Sequence, residues 1–230
     1  MAHEQFFYSP LVQGNSILIE GNEHQHLSRV MRKKTGDIIW VSDGKGMAYE
    51  AGISSIDKEL SQAEIIKKHP GFGEPTNKIS LAVGLIKASH WEILIEKAVE
   101  LGVHEIYPLL TQHTQHKNLK KERSEKILLS AMKQSGRSYL PKLHEPMNLN
   151  NFLMLDLPEN KFICDNQGDY STLSKESTEK DVMILVGPEG GFSTNEVNLA
   201  KNKNFHPVLL SNRRLRTETA CLYALSNLSI

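Results

Sequence analysis

The sequence predicts a two-part α/β protein, a small β-rich domain over residues 1–72 followed by a larger domain over 73–230 in which strands alternate with helices. Three observations predict it. Short apolar runs closed by turn residues recur through the first part of the chain. A segment dense in Pro and Gly, His69-Pro70-Gly71-Phe72-Gly73-Glu74-Pro75, separates two patterns. Beyond it, continuous apolar runs alternate with stretches of helical period, the mark of a parallel sheet covered on both faces.

In the first part, Ser16–Ile19 is an apolar run closed by Gly21-Asn22, and Asp37–Val41 is a second, ended by Asp43-Gly44-Lys45-Gly46. Met47–Ile53 returns as a third strand and Ala63–Lys67 supplies a fourth. Only His24–Met31 has a helical pattern here. Strands at this spacing predict a small barrel. In the second part, Ile79–Ile86 is a buried strand. Trp91, Leu94, Ile95, Ala98 and Leu101 then recur on one helical face, with Glu92, Glu96 and Glu100 on another and Gly102 as the stop. Glu105–Leu110 is a strand and Leu119–Ser135 a helix. Lys161–Cys164, Val182–Val186 and Pro207–Leu210 are further short strands.

Composition narrows the class. The formal net charge is zero, which argues against a tail-driven nucleic-acid binder but conceals local patches. The start, MAHEQFFYSP, lacks a basic region followed by an apolar run, and no stretch reaches the roughly 18 apolar residues of a spanning helix. A cytoplasmic, soluble protein is expected. Cys164 and Cys221 have no CxxC partner, so buried reduced thiols are expected rather than a metal site.

Two segments carry chemistry. In the first, the apolar run Val182–Val186 enters Gly187-Pro188-Glu189-Gly190-Gly191-Phe192, and Ser193 and Glu196 then have the spacing of a capping box. Glycines after a strand let a ligand approach the backbone, and ligands of open α/β sheets lie beyond the carboxyl ends of the strands. The same residues also suit a plain tight turn. The order fits neither G-x-G-x-x-G nor G-x-x-x-x-G-K-[ST], and no lysine is placed for a phosphate, which disfavours a phosphate cradle. The second segment, Leu209-Leu210-Ser211-Asn212-Arg213-Arg214-Leu215-Arg216-Thr217-Glu218-Thr219-Ala220, links a strand to a helix through Leu222, Leu225 and Leu228. It is either a solvated loop or the second lip of one pocket.

Together these two segments resemble the signature of the ribosomal RNA small subunit methyltransferase E family. Further similarity runs along the chain: Glu96-Lys97-Ala98-Val99-Glu100-Leu101-Gly102-Val103, Gln134-Ser135-Gly136-Arg137, and His26-Leu27, Val30-Met31-Arg32, Lys34-Thr35-Gly36-Asp37 and Asp43-Gly44-x-Gly46 near the start. The resemblance implies S-adenosylmethionine-dependent methylation of N3 of a uridine in 16S ribosomal RNA. It also implies a PUA-like RNA-binding β-barrel, a SPOUT α/β domain with a deep trefoil knot, and a homodimer through the knot region, with no metal and no membrane. The chain departs from the family pattern at Lys87-Ala88-Ser89-His90-Trp91-Glu92, where members usually have a Gly and an Arg or Lys, and at Thr111-Gln112-His113-Thr114, where many have Ser-Glu-Arg-Ser. Both changes put a histidine in place of a permanent cation.

On that resemblance Leu185, Val186, Gly187, Pro188, Glu189, Gly190, Gly191, Leu210, Ser211 and Leu215 are expected to hold the cofactor. Arg216 is expected to stabilise negative charge on the uracil oxygens, since a guanidinium offers paired planar donors. Glu218 is expected either to take the N3 proton or merely to suit a helix N-terminus. RNA contacts are expected from His26, Arg29, Arg32, Lys33, Lys34, Lys87 and Arg137, with Lys117, Lys120, Lys121, Arg123 and Lys126 a more diluted second stretch. Three other readings stand beside this one: the same chemistry on another nucleotide, a non-catalytic RNA-binding assembly factor, and a nucleotide-binding oxidoreductase. The last lacks the glycine fingerprint and the acidic ribose residue.

Overall fold

Alternation of buried and exposed side chains builds the first of two units. A computed structural model describes residues 6–165, 173 and 180–228. In strand β3 (Ser16–Glu20), Ile17 and Ile19 face inward and are fully buried. It pairs antiparallel with β6 (Leu60–Pro70) and with β2 (Val12–Gln13); β6 pairs with β5 (Met47–Ile56), and β5 with β4 (Ile38–Ser42). β1 (Phe6–Tyr8) closes the order β1-β4-β5-β6-β3-β2 and runs parallel to β4. The β5–β6 hairpin shifts register at Glu50/Ala51 and Ile53/Ser55, and such bulges raise the local twist. Phe7, Ile17, Ile19, Leu27, Val41 and Ala63 meet in its core.

Two features of this unit differ from expectation. β5 and β6 run further than expected, and the sheet includes β1 and β2, whose few residues give no legible period. The helix expected at His24–Met31 is a short α-helix, α1 (Gly21–Gln25), running directly into a π-helical turn at His26–Val30. The Met31 amide donates to the His26 carbonyl at 2.9 Å, five residues back, and the Lys33 amide reaches Leu27 at 3.1 Å. Arg32 then takes φ +49°, a left-handed conformation uncommon for a side-chain-bearing residue, and ends the helix. His24 is buried and bonded to Ser61 Oγ at 2.8 Å, so it is structural.

The second unit is an all-parallel sheet ordered β10-β8-β7-β12-β11-β13, with β9 (Lys142–Leu143) on β8. Its members are β7 (Ile79–Gly84), β8 (Val103–Leu110), β10 (Met147–Asn148), β11 (Asn160–Cys164), β12 (Val182–Val186) and β13 (His206–Val208). β7 and β12 are buried at every residue, as central parallel strands must be. The remaining helices are α2 (Ala88–Glu100), α3 (Lys121–Ser135), α4 (Leu149–Phe152), α5 (Thr194–Asn202) and α6 (Thr217–Leu228). α2 buries Trp91, Leu94, Ile95 and Ala98 as its period predicts, and Val99 rather than Leu101 completes the face. β13 stops at Val208, short of the expected Leu210, which leaves 209–216 free as a loop.

The division of the chain is less simple than a single linker. The first unit takes the described residues up to Glu74 together with Leu129–Leu140; the second takes Pro75–Leu128 and the chain from Pro141 onward. The cause of this return is visible within the first unit. Arg137, only 2% exposed, donates from Nη2 to Glu74 Oε2 at 2.5 Å and from Nε to the same oxygen at 3.1 Å. Glu74 Oε1 accepts the amides of Ser138 at 2.9 Å and Tyr139 at 2.8 Å. The expectation that Arg137 contacts RNA is therefore corrected: its guanidinium is spent inside the fold.

Candidate active site

The cleft begins where β12 ends. Gly187 follows the strand, and a Cβ there would lie 2.9 Å from the Cα and carbonyl carbon of Gly191, so only glycine lets the turn double back so closely. The turn is closed by the Gly191 amide donating to the Pro188 carbonyl at 2.8 Å, with Gly191 at φ +69°. Phe192 anchors it in the core. Ser193 and Glu196 then form the capping box that starts α5, each side chain bonded to the other's backbone amide.

The opposite lip is the loop 209–216 between β13 and α6. Arg214 Nη2 donates to the Glu189 carbonyl across the opening at 3.4 Å, and the Ala220 amide closes the first turn of α6 on the Arg216 carbonyl at 2.8 Å. Cys164 and Asp165 at the end of β11 and His90 in the first turn of α2 complete the wall. The result is a cleft of about 860 Å³ beyond the carboxyl ends of β11, β12 and β13, a size suited to a nucleoside-sized ligand. Burial pushes the Cys164 thiol up to about 12, aided by the charge of Asp165, and holds Cys221 well above its usual range.

The structure brings most of the expected ligand-binding residues together. Val186, Gly187, Pro188, Glu189, Gly190, Gly191, Leu210, Ser211, Leu215, Arg216 and Glu218 all line this cleft. Leu185 does not; its side chain lies in the core with Met183 and Phe192. Lys87 is exposed just before α2 and is not part of the wall. Arg29, Arg32 and Lys34 are exposed on the first unit, and His26 and Lys33 half-buried, His26 lying edge-on to Phe7 at 5.9 Å. His90 is the residue that sequence reasoning did not assign: its Nδ1 lies 2.9 Å from Glu218 Oε1. Its only signal was a histidine where a fixed cation was expected. Among the described residues no group of three or more His, Cys, Asp or Glu is placed to hold a metal, and no helix is long and apolar enough to cross a membrane.

The sheet that carries this cleft falls within the residues that define one class of protein, the RNA methyltransferases. Residues 73–229 match the RNA methyltransferase domain, and residues 19–66 match the RNA methyltransferase PUA domain. Ribosomal RNA small subunit methyltransferase E of Mesomycoplasma hyopneumoniae is 34% identical over 174 residues, covering 72% of this chain and 75% of that protein. The Synechocystis protein of the same name is 32% identical, covering 89% of this chain and 69% of its own length. The crystal structure of the Neisseria gonorrhoeae protein of that name, bound to S-adenosyl methionine, superposes with a TM-score of 0.86 at 28% identity over 97% of this chain and 96% of that one. The chain belongs to the ribosomal RNA small subunit methyltransferase E family.

Proposed function

We propose that this protein transfers a methyl group from S-adenosylmethionine to N3 of a uridine in the 16S RNA of the small ribosomal subunit, in the cytoplasm. The observation that carries this reading is the cleft in which the glycine turn 187–191, the loop 209–216, Arg216 and Glu218 meet, inside the RNA methyltransferase domain. The residues present fit such a cofactor. Gly187 and Gly191 let the turn fold back closely on itself, and the backbone of 186–191 and 210–215 offers edges for an adenine and a ribose. When bound, S-adenosylmethionine supplies a methyl group already activated by its sulfonium.

The chain's own residues then have two tasks. The first is alignment of the acceptor nitrogen, which lies on the Watson–Crick edge, so the uridine must be unpaired when it enters the cleft. The second is the N3 proton, whose acidity is of the order of a Tyr or Lys, roughly 9–10. Arg216, exposed at the lip, offers paired donors to the uracil oxygens as the ring becomes anionic. Glu218 occupies the first turn of α6, where an acid suits the positive helix end, and it also presents its carboxylate to the cleft. Arg29, Arg32, Lys33 and Lys34, with His26, form the patch that holds RNA phosphates, and Lys87 adds a cation before α2.

Architecture belongs to the same reading. After β13 at the sheet edge the chain returns in α6 to pack on α2, β7 and β12, a path that supports a knotted SPOUT topology. The twisted strands of the first unit support a PUA-like barrel. Ile93 and Tyr223, exposed apolar residues on α2 and α6, support a homodimer through this region.

The test is transfer of labelled methyl from S-adenosylmethionine to small subunits lacking native modification, with nucleoside analysis of the product. N3-methyluridine is the expected label, and Arg216→Ala loses transfer while keeping cofactor affinity within about twofold. Label on another nucleotide refutes the N3 assignment. Wild-type turnover by Arg216→Ala removes that residue from the chemistry.

A further inference from the structure

We propose that His90, held by Glu218, is the base that takes the N3 proton. This rests on the reading above and goes beyond it in assigning the acceptor. His90 and Glu218 stand 128 residues apart and come from different helices, yet both first turns open onto the one cleft. The His90 Nδ1–Glu218 Oε1 distance is 2.9 Å, with side chains 35% and 16% exposed. A carboxylate only accepts, so Nδ1 carries the proton of the neutral ring and Nε2 keeps its lone pair. Among the described residues nothing bonds Nε2, which leaves it open to a ligand. The half-buried carboxylate keeps the ring in this tautomer and then faces the imidazolium, as in hydrolase triads.

The proton balance follows. The N3–H bond breaks and its proton passes to His90 Nε2. The electron pair left on N3 forms the bond to the methyl carbon, while the S–CH₃ pair returns to sulfur. The imidazolium afterwards gives its proton to water. The chargeable groups that share the cleft with His90 are Glu218 on α6, Arg213, Arg214 and Arg216 on the loop before it, Glu189 after β12 and Asp165 after β11, with Lys87 outside the wall just before α2. Arg216 adds no competing acceptor, since guanidinium does not give up its proton in this range. Glu218 is thus a positioning residue and His90 the catalytic one.

Two measurements on the full chain test the assignment. Long-range ¹H–¹⁵N spectra of the ligand-free protein, with His90 assigned by its loss in His90→Gln, are expected to show Nδ1 protonated and Nε2 bare at pH 8. In Glu218→Gln that preference gives way to a mixture. A bare Nδ1 in the wild type overturns the dyad without touching the methyltransferase reading. In His90→Gln single-turnover transfer is expected to fall on the order of 100-fold, while S-adenosylmethionine affinity is kept, which also shows that the variant is folded. Transfer by His90→Gln within threefold of wild type overturns the proposal. A loss in Glu218→Gln far larger than the loss in His90→Gln makes Glu218 the base and overturns it too. If the wild type methylates no RNA, the functional reading fails, and the imidazole spectrum decides the dyad by itself.

Discussion

Arg137→Ala is the perturbation whose size can be worked most directly. The guanidinium is 2% exposed and its partner Glu74 is 13% exposed, so neither charge has water to fall back on. The hydrogen bonds to Glu74, at 2.5, 3.1 and 3.4 Å, disappear together. Glu74 keeps the amides of Ser138 and Tyr139, which hold Oε1 but do not neutralise the charge. Removing one partner of a buried ion pair costs about 3–5 kcal/mol, because the other charge is left uncompensated. Against a total stability of roughly 5–15 kcal/mol this is a large share. At about 2–4 °C per kcal/mol for a chain of this size, the melting midpoint falls by roughly 6–20 °C. Glu74→Gln is expected to cost a similar amount: an amide oxygen still accepts the two backbone N–H groups, but the Arg137 charge, the more deeply buried of the two, is left unneutralised. Urea denaturation followed by far-ultraviolet circular dichroism measures both. A loss under 1 kcal/mol for Arg137→Ala would refute the structural role. So would intact stability combined with a specific loss of RNA binding, which would return Arg137 to the substrate surface.

Other outcomes follow from the same geometry. Gly187→Ala forces a Cβ to 2.9 Å from the Gly191 backbone; overpacking of about 1–3 kcal/mol predicts a ~5- to 150-fold weaker affinity for S-adenosylmethionine by calorimetry, and unchanged affinity refutes the close turn. Cys164 and Cys221 have thiol pKa values raised by burial, so both stay protonated at pH 8 and react with iodoacetamide far more slowly than in the denatured chain. Because the folded form holds these protons longer, the associated stability is present below the unfolded value of 9.0 and is lost as pH rises toward about 12, measurable as a falling denaturation midpoint. Replacing Arg29 and Arg32 by Ala is expected to weaken RNA binding uniformly across sequences and to reduce the salt slope by about 1 for each phosphate no longer neutralised; an unaltered slope rejects the patch.

What could be read in advance was local. The run from Val182 through Gly187 to Glu196 encodes a buried strand, a turn and a helix start within fifteen residues, and the structure has all three, down to the reciprocal cap of Ser193 and Glu196. The apolar face of α2 was legible because its period is regular. Pairings between distant segments were not. Nothing in the spacing says that the starts of α2 and α6 converge, so His90 registered only as an odd residue. Arg137 was expected to contact RNA because its burial depends on a carboxylate 63 residues earlier in the chain, which no local pattern reveals. The π-helical turn after Gln25 escaped notice for a related reason: an added residue per turn leaves no mark in so short a helical pattern.

The return of Leu129–Leu140 to the first unit bears on how this chain can be taken apart. A gene fragment ending at Glu74 would encode every strand of that unit and still omit the arginine and amides that neutralise and cap its last carboxylate. Cutting at the Pro- and Gly-rich segment, the natural choice from the sequence, therefore yields a piece with an unmet buried charge. Recombination in evolution faces the same obstacle. A module in space that is two segments in the chain cannot be excised as one continuous piece without carrying the chain between them.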